Sequence, residues 1–270
     1  MSPLRDAPDL EEPVLEAVSL AKSWDGIAAV RDVSFTVHAG EMLALIGPNG
    51  AGKSTCFDML TGQTRPDRGG VRILGQDVSG KAPEWIWRLG VGRTFQVAAT
   101  FASMSVVENI QVALQSHAGL LTAPHPRSFA TQATELRRDE AMTLLDQVGM
   151  RAQADRPCGV LAYGDIKRVE LALALANKPR VLLMDEPTAG MSPHERAQMM
   201  QLVSGLVQRE RIGVLFTEHD METVFGYASR VLVLHRGQLI ADGPPEAVRA
   251  DGRVQEVYLG SGALLGEPAP

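Results

Sequence analysis

The stretch GPNGAGKST, residues 47–55, surrounds one lysine with glycines and hydroxyl residues. Gly47, Gly50 and Gly52 permit a tight backbone curl that side chains would block. The curl turns successive N–H groups inward, and a helix beginning near Lys53 adds its positive end. That is a grip for phosphates: Lys53 reaches the outer ones and Ser54 offers its hydroxyl to Mg²⁺. A second constellation lies in VLLMDEP, residues 181–187, where Asp185 and Glu186 stand together after an apolar run. Adjacent side chains on extended backbone point apart. One carboxylate can therefore hold Mg²⁺ through its water shell while the other polarises an attacking water. His219 closes the run GVLFTEHD, and Gln96 follows GRTF. The place of His219 at a strand's end marks it for function, and Gln96 could sense phosphate while hinging the segment after it. A glycine turn, two solvated acids and a structural histidine are the bland alternatives, and the surrounding elements decide against them.

MLALI (42–46) is continuously apolar, as a buried parallel strand should be. KSTCFDMLTG (53–62) reads as a short helix closed by Gly62, so strand, loop and helix follow in the order a phosphate loop requires. VLLMD (181–185) and GVLFTEHD (213–220) read as strands, with PHERAQMMQLVSGLVQ (193–208) as a helix between them. Their C-terminal ends carry Asp185, Glu186 and His219, and that edge of an open α/β sheet is where ligands bind. VSFTVHAG (33–40) alternates apolar and polar residues, and with GGVRILGQDV (69–78) it predicts an antiparallel layer near the loop. RVLVLHRGQLIADG (230–243) predicts a hairpin turning at Arg236-Gly237.

From about 98 to 160 the pattern turns helical. SVVENIQVAL (105–114) opens with Ser105 and Glu108 at capping-box spacing. SHAGLLTAPHPRS (116–128) is a proline-marked loop, and ATQATELRRDEAMTLLDQVGM (130–150) an amphipathic helix. The predicted fold class is α/β, a P-loop NTPase (RecA-like) core with an antiparallel β layer and an inserted helical subdomain. The expected division is a flexible tail at 1–13, a nucleotide-binding core at 14–97 and 161–243, a helical subdomain at 98–160, and a C-terminal helical extension and tail at 244–270.

Composition narrows the function. The 270 residues are 45% hydrophobic and 21% charged, ordinary for a globular protein. A net charge of −6 provides no bulk attraction to nucleic acid, and no nucleic-acid partner is expected. No apolar stretch approaches the ~18–20 residues needed to span a bilayer. The acidic start, MSPLRDAPDLEEP, has no apolar core and does not read as a signal peptide. Two cysteines, Cys56 and Cys158, make no disulfide framework and suit a reduced, cytoplasmic setting. Cys56, on the helix after the loop, is expected to serve packing.

LAYGDIKRVELALALANKP (161–179) places Gly164 at the entry of a long helix whose N-terminus can face an anion. The order of phosphate loop, TFQ, LAYG, LLMDEP and TEH resembles the ATP-binding cassette of ABC transporters over residues 14 to 259. That resemblance implies ATP and Mg²⁺ as cofactors and a head-to-tail dimer with a second cassette, identical or different. In such a dimer the stretch at 161–165, usually LSGGQ, contacts ATP held by the other cassette. It also implies roles. Trp24 stacks on adenine; Asn49, Gly50, Ala51, Gly52, Lys53, Ser54 and Thr55 cradle the phosphates. Ser54, Gln96 and Asp185 serve the metal, Glu186 is the general base, and His219 is the switch touching the γ-phosphate. Ala162 and Asp165 depart from the usual serine and glutamine, which implies a weakened signature. Ser192, in AGMS (189–192), stands where the family carries an acidic residue or asparagine.

GRTFQ, LAYG, DEPTAG, EHDM and VQEVYLG are similar to the branched-chain amino-acid type of importer. That type works with integral-membrane permease subunits and, indirectly, a periplasmic or extracellular substrate-binding protein. The resemblance implies a cytoplasmic ATPase peripheral on the inner face of the membrane, powering uptake of branched-chain amino acids, urea, amides or aromatic acids. Two rival readings stand beside it. One is the cassette of a lipid or lipopolysaccharide exporter, the other a soluble ABC ATPase outside transport.

Overall fold

The computed structural model describes residues 12–94, 100–118 and 127–259. Two sheets share the α/β part. A six-stranded sheet runs in the order β10(Gln238–Gly243), β9(Arg230–His235), β3(Met42–Ile46), β8(Gly213–Thr217), β7(Val181–Asp185), β6(Val91–Thr94). All its pairs are parallel except the β9–β10 hairpin. Arg236 and Gly237, at φ 49° and 79°, form the turn of that hairpin. Two left-handed residues match the twist of a tight hairpin, as the sequence predicted. The second sheet, β2(Ile27–Val37), β1(Leu15–Trp24), β4(Arg68–Ile73), β5(Gln76–Asp77), is antiparallel.

The buried strands alternate between two cores. Leu43, Leu45, Leu183, Leu215 and Leu232 face a core shared with the antiparallel sheet and with α1(Lys53–Leu60). Ala44, Ile46, Met184, Phe216 and Val233 face the opposite core, shared with the helices. Both faces are covered, so the strands read as unbroken apolar runs.

Between β6 and β7 the chain makes α3(Val106–His117), α4(Arg127–Gln147) and α5(Tyr163–Leu175). Ser105 caps α3 as expected: its hydroxyl accepts from Glu108 N, and the Glu108 carboxylate accepts from Ser105 N at 2.7 Å. Val106, Val107, Ile110 and Leu114 then bury one side of α3 in a core shared with Leu145 of α4 and Val148 just after it. The helix α5 packs against α3 and α4 as well as β6, so its allegiance is split between the two parts.

Among the described α-helices and β-strands, four were not anticipated: β1, β6, α2(Pro83–Arg88) and α7(Met221–Tyr227). In β1, Ser19 has a positive φ of 46° and the register slips between Ala17 and Leu20. Those irregularities break the alternation by which a half-buried strand is read.

Candidate nucleotide site

The loop of residues 47–52 passes directly from β3 into α1. Gly47 and Gly52 take φ of 157° and 106°, and a Cβ on them would strike the carbonyl oxygens of Leu234 and Ala29. Only glycine lets the loop lie this close to β9 and β2. The hairpin tip braces it further, because Gly237 N donates to Ala51 O at 2.9 Å. No side chain caps the N-terminus of α1, and its first turn holds no acidic residue. Its N–H groups are therefore offered to an anion. Asn49 and Gly50 are exposed, Thr55 is half-buried and Ser54 is exposed. The buried Lys53 ammonium donates to Gly47 O at 2.7 Å and Pro48 O at 3.3 Å. Burial lowers its pKa below the ordinary lysine value, while the Glu186 and Asp185 carboxylates pull it back up.

Those carboxylates arrive from β7, whose Asp185 pairs with Thr217 of β8. The hydroxyl of Thr217 donates to Asp185 Oδ1 at 2.7 Å and accepts from Glu186 N at 3.0 Å. Glu186 stands at φ 48°, a left-handed backbone that costs a non-glycine residue on the order of 1–3 kcal/mol. Its Oε1 lies 2.8 Å from His219 Nε2, in reach of a hydrogen bond. The structure thus brings together Lys53, Asp185, Glu186 and His219. Cys56 lies beneath, its thiol pushed up to about 12 by burial, consistent with packing.

The remaining expected participants are Trp24, Gly164 and Gln96. Trp24 is 52% exposed at the end of β1, with Lys22 Nζ 4.8 Å from its ring centroid. Gly164 borders a small recess with Ala162, Asp165, Arg168, Glu195 and Gln198, and its own nearest neighbour is Glu195. Gln96 lies outside the described residues. Ser192 has an unforeseen occupation: it caps α6(Pro193–Glu210) in a capping box with Glu195. Sequence reasoning also passed over Thr217, Glu218 and Thr188. Thr188 donates its N–H and hydroxyl to Glu218 Oε1 at 2.9 and 2.6 Å. A polar residue closing an apolar run reads as the strand's exit into solvent, and nothing in the run marks these three as buried.

A groove of about 490 Å³ opens between the α/β part and α3, lined among others by Trp87, Arg93, Phe101, Asn109 and Leu173. Among the described residues no helix is long and apolar enough to cross a membrane.

The family profile described as ABC transporter matches residues 30–189. A second, described as Branched-chain amino acid ATP-binding cassette transporter, matches residues 238–263. The high-affinity branched-chain amino acid transport ATP-binding protein LivG of Escherichia coli (strain K12) is 36% identical over 93% of this chain and 99% of its own length. The lipopolysaccharide export system ATP-binding protein LptB of Acidithiobacillus ferridurans is 36% identical over 92% and 97%. A crystal structure of an ATP-binding cassette of an ABC transporter in its ADP conformation superposes with a TM-score of 0.79 at 28% identity, covering 92% of this chain and 99% of that one. With the phosphate loop, the paired carboxylates and the histidine converging as described, the chain belongs to the ABC transporter family, as one of its ATP-binding, ATP-hydrolysing subunits.

Proposed function

We propose that this chain powers an importer of the branched-chain amino-acid type. Identity does not choose between import and export, since LivG and LptB are matched at 36% alike. The observation that carries the reading is the match of residues 238–263 to the branched-chain amino-acid profile. The substrate is a branched-chain amino acid or a similarly small polar solute.

In this reading the N–H groups of residues 49–55 and the Lys53 ammonium hold the triphosphate. Trp24 stacks on adenine. Ser54, Gln96 and Asp185 would hold Mg²⁺: hydroxyl and carboxylate oxygens are the hard donors this ion takes. Bound there, Mg²⁺ would neutralise charge on the outer phosphates. Glu186 orients and deprotonates the attacking water, and His219, 2.8 Å away, presents its imidazole to the γ-phosphate. The Gly164 end of α5 serves a second cassette in a head-to-tail dimer. The groove at Phe101 and Trp87 receives a permease subunit, which would hold the cassette on the cytoplasmic face of the membrane, with a substrate-binding protein outside.

The test is reconstitution with the co-expressed permease in vesicles. ATP-dependent uptake of labelled leucine, isoleucine or valine, abolished by Glu186→Gln, is the expected result. A permease partner that extracts lipid or lipopolysaccharide instead would move the chain to the exporter reading.

A further inference from the structure

We infer that Thr217 and Glu218, consecutive residues where β8 ends, are positioning residues for hydrolysis. They hold Glu186 in its left-handed backbone and set its contact with His219. The inference rests on the reading of Glu186 as the base.

A left-handed glutamate persists only where its surroundings over-determine it. Here the surroundings are specific. Glu186 N donates to Thr217 Oγ1 at 3.0 Å. A hydroxyl has one proton to give, and Thr217 gives it to Asp185 Oδ1 at 2.7 Å. One buried hydroxyl therefore fixes both the Asp185 carboxylate and the backbone of Glu186. Beyond Glu186 the chain is gripped again. Thr188 gives its N–H and its hydroxyl to Glu218 Oε1, at 2.9 and 2.6 Å. Glu218 Oε2 takes the N–H of His219 at 3.2 Å. The Glu218 carboxylate thus ties the segment after Glu186 to the backbone that carries His219.

Thr217, Thr188 and Glu218 are 0%, 1% and 4% exposed, so none can meet a substrate. They act through their neighbours. A buried carboxylate is costly unless donors surround it, and three donors converge on this one. Because both ends of the Glu186 segment are anchored to β8 and its continuation, the 2.8 Å contact between Glu186 Oε1 and His219 Nε2 is set by the backbone.

The experiment compares the full-length chain with Glu218→Gln, Thr188→Val, Thr188→Ser, Thr217→Val and Glu186→Gln. It measures kcat and KM for ATP, binding of a non-hydrolysable ATP analogue, and the melting midpoint. Glu218→Gln turns an acceptor into a donor opposite His219 N, and the two valines delete hydroxyls at near-constant shape. Each should lower kcat by on the order of ten- to a hundredfold, since small misplacements of catalytic groups cost that much. In Glu218→Gln and Thr188→Val, KM and analogue binding should stay within about twofold, because phosphate capture lies elsewhere. Thr188→Ser should recover most of the turnover lost in Thr188→Val. Undiminished kcat in Glu218→Gln and Thr188→Val, beside a dead Glu186→Gln, overturns the inference alone. A loss of kcat that Thr188→Ser does not recover, or a loss matched by analogue binding, overturns it too. Parental turnover in Glu186→Gln would overturn the reading beneath it. Should Glu218→Gln not fold, the threonine pair decides.

Discussion

The Lys53 ammonium donates to two loop carbonyls, yet burial still holds its pKa below the free value of 10.5. A lowered lysine pKa means the unfolded chain binds this proton more tightly. Between the lowered value and 10.5, stability therefore rises with pH, and at neutral pH the charged group is a liability to the fold. A triphosphate supplies the missing counter-charge. Lys53→Met should consequently melt no lower than the parent at pH 7 without nucleotide, but gain far less on adding ATP. The parent should gain about 2.7 kcal/mol at a hundredfold excess over Kd. Melting curves with and without ATP check this, and an equal ATP-induced shift in both would remove Lys53 from the grip. Ala162 invites a second substitution. It is the N-cap of α5 and makes no side-chain cap. Ala162→Ser would add one, worth about 1 kcal/mol, besides offering a hydroxyl to the facing phosphate. The two effects separate by measuring stability without ATP and dimerisation with it. At this scale the groups proposed to touch phosphate were legible in the sequence, since their chemistry demands particular residue types. The sequence could not name Thr217 and Glu218, because their work depends on burial and on partners about 30 residues away, Asp185 and Thr188.

The helix α3 shows how much an element's boundary matters. The stretch FASMSVV (101–107), beside the groove proposed to receive a permease, divides at the Ser105 cap. Phe101 is 57% exposed, whereas Val106 and Val107 are 0% and 1%. Phe101→Glu should therefore uncouple transport while sparing basal ATPase, measured in vesicles. A charge at Val107 should damage the core instead. Ser105→Ala should lower stability by about 1 kcal/mol at neutral pH, by loss of the cap. The cap has an acid limit. Hydrogen bonds from Ser105 hold the Glu108 carboxyl below its ordinary 4.5. A depressed carboxyl contributes above the unfolded value, and the contribution disappears as pH falls through the lowered one. The difference between Ser105→Ala and parent in denaturant melts should accordingly shrink as pH falls below the ordinary carboxyl value of 4.5. Elements with strong punctuation were legible: the capping box, the phosphate loop between strand and helix, the Arg236-Gly237 turn. The four-residue strand β6 and the bulged β1 were not, since the first is too short for a period and the second breaks its own.

For the whole molecule, the proposed dimer predicts that Glu186→Gln accumulates an ATP-bound pair of cassettes, visible as a doubled mass by light scattering. Asp165→Gln in that background should tighten the pair, because Asp165 places a negative charge beside the α5 N-terminus proposed to meet phosphate. No change in the dissociation constant would show that Asp165 turns away from the interface. The order of the central sheet has a further consequence, which concerns a chain still being made. The strand that launches the phosphate loop, β3, is flanked by β8 and β9, strands more than 160 residues later. Gly47 lies against Leu234, and Ala51 is held by Gly237. When the loop leaves the ribosome, β2 is the only one of the strands that shape it to have been translated. The antiparallel sheet can pair early, from residues 15 to 77, but the ATP grip waits for the hairpin at 230–243. A nascent cassette is thus blind to the nucleotide around it until that hairpin emerges, and a chain stalled before it would not tie up ATP.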